Sequence, residues 1–133
     1  MNTEPVPETT DTEVAATLYA TLDAWVEDLL VLIYNRAPGA GRNWCHQWWM
    51  HDEAVYRLDA LWRAWEYTRV NDGPMGAATW LVNFADPIMT VLTGPDGCFK
   101  GCKHEHHRAF ELNPEEKLPT EPQPRILQKD RGE

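Results

Sequence analysis

The cysteines and histidines of this chain fall in two segments whose residue types suit metal coordination. Cys98, Cys102, His104, His106 and His107 place five soft or borderline donors within ten residues. Cys45, His46 and His51 supply three more from far upstream. Zinc sites take about four such ligands, most often cysteine sulfur and histidine nitrogen. Two ligands from a loop and two from a second element would staple a chain end onto a small core. Gly97 and Gly101 allow the backbone to turn tightly around an ion. Cys-x3-Cys is looser than a Cys-x2-Cys knuckle, so a bland alternative stands beside this one. In it Cys45 is a small buried hydrophobe and His104, His106 and His107 form a solvated polar patch. The odd count of three cysteines argues against a disulfide framework and suits thiolate ligands in a reducing cytosol.

The element that must position Cys45 and His51 is the stretch 43–66, which holds five of the seven tryptophans and the clearest helical period. Past His51, Val55, Leu58, Trp62 and Trp65 form one apolar stripe that Leu61 widens. Glu53–Arg57 and Asp59–Arg63 are acid-to-base pairs at helical spacing. Before His51, Trp44, Trp48 and Trp49 follow a different phase. On an unbroken helix Cys45 and His51 would be turned about 600° apart around the axis and could not share an ion. A break near Met50–Asp52 reconciles the phases and lets the two converge. Asn43 is a suitable N-cap for this region. Trp44, Trp48 and Trp49 are either an exposed aromatic interaction surface or a cover for the metal loop.

The rest of the chain is read as helix and turn. Residues 1–10 carry two prolines and no apolar period, and are expected to be a disordered tail. Thr10 and Glu13 have the spacing of a capping box, predicting a first helix from there to about Asn35. Its stripe would be Val14, Leu18, Leu22, Trp25, Leu29 and Ile33, widened by Val26 and Leu30. A third helix is predicted from near Pro74. Asp86-Pro87 reads as a fresh N-cap with proline at the first helical position, predicting a short fourth helix that buries Ile88, Val91 and Leu92. Four prolines after Leu112 leave 113–133 as a second disordered tail. The expected fold is all-α: one helical domain over 11–112, a small bundle of three to four helices with the Cys/His-rich loop packed on the central helix.

Composition narrows the function classes. The chain has 133 residues and a net charge of −9, which argues against duplex nucleic-acid binding by the whole surface. The segment 98–112 is locally basic, with Lys100, Lys103 and Arg108. No apolar run approaches the ~20 residues that span a bilayer, and the N-terminus lacks the basic and apolar regions of a secretory signal. A soluble cytoplasmic protein is expected.

The run W-C-x-x-W-W-x-H-x-E-A-V-x-R-L-x-A-L-W-R-A-W-E over 44–66 resembles the domain-of-unknown-function family numbered 4913, found in actinobacteria and in their plasmids and phages. The resemblance extends through A-D-P at 85–87 and G-P-D-G-x-F-x-G-C at 94–102. It implies a four-ligand site of Cys45, His51, Cys102 and His106, with His107 or His104 as alternates. Cys98 stands where the family pattern has proline, so the resemblance makes it an extra thiol. Asp52 replaces a frequent proline, which implies a helix start just after His51. The family carries no settled activity.

Catalytic signatures are missing from the sequence. It contains no glycine-rich phosphate loop, nucleophile elbow or H-E-x-x-H motif. The expectation is a non-enzymatic, acidic accessory or adaptor protein of a mobile element or phage, acting by protein–protein interaction and holding a structural zinc. The alternative is a nucleic-acid-associated regulator using the basic 100–108 segment.

Overall fold

A computed structural model of the chain describes residues 16–39, 41–102 and 118–124. Three helices organise the described residues, and extended pairing there is limited to an isolated bridge between Gly39 and Arg42. The fold is therefore small and all-α. The first helix, α1, joins α-helical Leu22–Trp25, π-helical Val26–Leu30 and α-helical Val31–Ile33. The second and longest, α2, is Asp52–Asn71. The third, α3, joins Gly76–Trp80, a π-helical Leu81–Ala85 and Asp86–Leu92.

Among the described residues, helix begins at Leu22, within the span predicted to be already helical. The capping box at Thr10 and Glu13 lies outside the described residues, but residues 16–21 are described and are not helical. The physical reason is Glu66 on α2. Its carboxylate accepts the backbone N–H groups of Leu18 and Tyr19 at 2.9 and 3.0 Å, engaging amides that a helix would need. Thr21 then caps α1, its hydroxyl accepting from the N–H of Ala24 at 3.3 Å. The π-helical turn adds a residue to the helical register and rotates the residues C-terminal to it. Trp25, Val26 and Leu30 are fully buried, while Leu18 and Ile33 of the expected stripe are exposed.

Around Trp25 the core is a cluster of tryptophans. Its ring meets Trp80 edge-on with centroids 6.1 Å apart and Trp65 at 6.3 Å. The indole N–H of Trp80 donates to the Leu61 carbonyl at 3.1 Å, so the third helix is keyed to the second by a buried polar contact. Ala54, Leu58 and Leu61 form the fully buried stripe of α2, flanked by partly buried Val55, Trp62 and Trp65. The predicted pairs Glu53–Arg57 and Asp59–Arg63 both form, at 2.8 Å.

The expected break at Asp86-Pro87 does not occur. Asp86 keeps helical backbone angles, and α3 continues through Pro87 to Leu92. Proline removes a donor and crowds the preceding turn. The wider π-helical turn at Leu81–Ala85, directly before it, accommodates both effects without ending the helix. The phase shifts accordingly: Met89 and Leu92 are buried, Ile88 is partly buried, and Val91 is exposed.

Candidate metal centre

The ligand-bearing residues are placed by a break, a turn and a loop. Trp48–Met50 forms a short 3-10 turn, and His51 is extended at φ −108° and ψ 115°. The long helix α2 begins at the next residue, Asp52. This is the break that the tryptophan phases predict. Asn43 does not cap a helix. Its backbone N–H donates to the Thr93 carbonyl at 2.8 Å and its side-chain amide to the Gly94 carbonyl at 3.2 Å. It therefore ties the segment carrying Cys45 to the C-terminal end of α3.

From that same helix end the chain turns back through 94–102. Successive backbone bonds, Gly97 to Gly94, Lys100 to Gly97 and Cys102 to Phe99, wind the loop at 2.9–3.0 Å. At Gly101 the backbone has φ +89°, which side-chain-bearing residues rarely adopt. Gly97 sits so close to α3 that a Cβ there would fall 2.6 Å from the Leu92 carbonyl oxygen.

This arrangement brings Cys45, His51 and Cys102 together, with one ligand atom from each lying within 4.8 Å of the others. The Cys102 sulfur is 3.5 Å from Nε2 of His51. Two ligands on a tetrahedral zinc, one sulfur and one nitrogen at their usual bond lengths, would lie about 3.6 Å apart. The donor set and the spacing therefore fit a metal ion of the zinc type. Cys45 and Cys102 are buried, and His51 reaches the cluster from a partly exposed position. Burial pushes the Cys45 thiol up to about 11, with the adjacent Cys102 adding to the effect against a backbone hydrogen bond from Gln47. A bound cation would offset the cost of ionising this buried thiol.

Phe99 organises the cluster from within. It is fully buried and packs edge-on against the imidazole of His51, centroids 5.0 Å apart, and against Trp44 at 5.1 Å. Sequence reasoning overlooked Phe99, although it is the single large apolar residue in a loop of glycines, charges and cysteines. It overlooked Glu66 as well, an acid on an otherwise apolar face.

The remaining sequence candidates separate. His104, His106 and His107 lie outside the described residues. Cys98 is partly buried and stands outside the ligand cluster, its thiol raised to about 11 by burial and by the carboxylate of Glu53. Of the two readings of Trp44, Trp48 and Trp49, a shared exposed surface does not form, and Trp44 covers the loop through Phe99. Trp48 is buried in the core at 6% exposure, Trp44 is half-buried on Phe99, and Trp49 alone of the three is exposed, at 55%. A short turn places successive tryptophans on different sides, which an unbroken helical face would not do.

These features define a small all-α protein with a Cys2His cluster capable of holding a metal ion. The chain belongs to the DUF4913 family, a domain of unknown function, whose model matches residues 19–124. No curated protein and no solved structure matches it significantly.

Proposed function

We propose that this protein is a non-enzymatic accessory or adaptor protein whose fold is stapled by a structural zinc ion. The observation that carries the metal is the convergence of Cys45, His51 and Cys102 from two segments far apart in the chain. His106 is the proposed fourth ligand, with His107 or His104 as alternates, since a closed structural site takes four. The ion would neutralise the buried thiolates and tie the 94–102 loop to the start of α2. Small domains commonly need such a tie because their cores bury little surface.

Action through protein contact is supported by an apolar pair beside the site. Trp49 and Met50 are 55% and 54% exposed on the 3-10 turn that leads into His51. Tryptophan and methionine are enriched at interaction surfaces, and a turn held by an ion would present them rigidly. Among the described residues no helix is long and apolar enough to cross a membrane. An origin in a mobile element or phage is what the family resemblance implies, and a cytoplasmic setting is suggested by an odd cysteine count that suits thiolate ligands in a reducing compartment.

Elemental analysis of the purified chain and of Cys45→Ser and Cys102→Ser tests the metal. About one zinc per chain, lost in both variants, is expected. A folded, metal-free wild type overturns it. A titration against duplex and single-stranded DNA separates the adaptor role from the nucleic-acid alternative. Binding that weakens steeply with salt would favour the latter.

A further inference from the structure

A second concave site lies between the C-terminal end of α1, residues 35–36 and 41–44, and the C-terminal half of α3. It encloses about 610 Å3, within the range of roughly 300–1,000 Å3 typical of small-molecule pockets. It shares no residue with the Cys45–His51–Cys102 cluster. Its floor is apolar, formed by Leu30 and Met89, both buried. Tyr34 and Trp44 supply aromatic lining, and Arg36 and Arg42 are also among the lining residues.

The charge at this site runs against that of the chain. The lining includes two arginines and a single carboxylate, Asp86, in a protein whose net charge is −9. Asp86 is already engaged, accepting from the Tyr34 hydroxyl at 2.6 Å. That bond also ties α1 to α3 across the cleft. The guanidinium of Arg36 lies 5.5 Å from the Tyr34 ring centroid. Gly39 and Arg42 exchange backbone hydrogen bonds at 2.6 and 3.0 Å, and Asn43 bonds the end of α3, so the arginine-bearing segment is held in place. Guanidinium groups recognise oxyanions by paired hydrogen bonds, while the floor and aromatic lining offer no charge. Methionine adapts its shape to a flat apolar body.

We propose that this cleft binds a small molecule that joins a flat, apolar body to a terminal oxyanion, a carboxylate or a phosphate. The body lies over Leu30 and Met89 against the aromatic side chains, and the oxyanion meets Arg36 and Arg42. The assembled walls mean that little ordering accompanies binding.

Isothermal titration of the full chain with 1-naphthoate, 1-naphthyl phosphate and the uncharged 1-naphthalenemethanol tests this. At least one charged probe should saturate at one per chain and bind about tenfold or more tighter than the uncharged one, the margin of a charge-assisted hydrogen bond. Comparing the two charged probes separates a carboxylate ligand from a phosphate ligand. The Arg36→Gln/Arg42→Gln variant should bring the charged probe down to the uncharged level. Thr90→Trp, at an exposed position lining the cleft, should weaken all three probes by filling it. Thermal melts establish that both variants remain folded, which exposed substitutions permit. Equal binding of charged and uncharged probes, no saturable binding, or charged-probe binding unchanged in the double arginine variant would each overturn the proposal.

Discussion

The sulfur of Cys102 lies 3.5 Å from Nε2 of His51, although 51 residues separate them along the chain. The contact closes a loop containing all of α2 and α3. An ion bound there would hold the native state and not the unfolded chain, so its binding free energy adds directly to folding. Chelation with EDTA is therefore expected to lower the melting temperature markedly and to leave Cys102→Ser, which has already lost the site, unaffected. Equal shifts in the two proteins would contradict a bound structural metal.

The same site sets a pH dependence. Burial raises the Cys45 thiol to about 11, so at neutral pH a metal must displace its proton. Metal affinity should then rise with pH up to that value, by about tenfold per unit for each proton displaced. Competition with a chelator of known affinity at pH 6, 7 and 8 measures the slope. A flat profile would mean that Cys45 is not a ligand.

Phe99→Ala removes a fully buried ring that packs on both His51 and Trp44. A loss of about 3–5 kcal/mol of stability is expected from the cavity alone. Metal affinity should fall as well, because the imidazole loses the surface that orients it. Phe99→Leu should recover much of the stability and less of the affinity, which denaturant melts and metal competition can separate.

Glu66 provides an acid-sensitive latch. Burial raises its carboxyl group, but the bonds from Leu18, Tyr19, Trp62 and Arg69 outweigh that and hold it below its ordinary value of 4.5. A depressed carboxyl contributes stability above the ordinary value and loses it as pH falls through the lower, folded one. Glu66→Gln should thus cost about 1.5–3 kcal/mol at pH 7. The gap between wild type and variant should narrow well below pH 4.5, as read from chemical denaturation across pH.

At Gly76 the backbone of α3 packs tightly against that of α2. A Cβ there would fall 2.5 Å from the Thr68 carbonyl oxygen, which is backbone and cannot swing aside. Gly76→Ala is expected to destabilise by about 1–3 kcal/mol despite alanine's better helix propensity. A stabilised variant in thermal melts would show that the helices separate freely at this point.

Most of the helical content was legible in the sequence because apolar spacing reports which face a helix buries. The stripe of α2 and the break before Asp52 could be read from the change of phase among the tryptophans. The late start of α1 could not. It depends on Glu66 capturing the amides of Leu18 and Tyr19, a contact between residues remote in sequence. The continuity of α3 through Pro87 was equally hidden, since a π-helical turn leaves no periodic mark.

The site divides in the same way. Residue types nominated eight candidate ligands and the break at His51 let Cys45 and His51 converge, because ligand chemistry and helical phase are local properties, while the choice of Cys102 over Cys98 came from the family resemblance. Only tertiary structure decided that Phe99 sits between His51 and Trp44, that Trp48 turns into the core while Trp49 faces solvent, and that Asn43 ties its segment to the end of α3. Those outcomes depend on how the loop, the turn and the helices pack together, and packing between distant segments is not encoded in the spacing of any one of them.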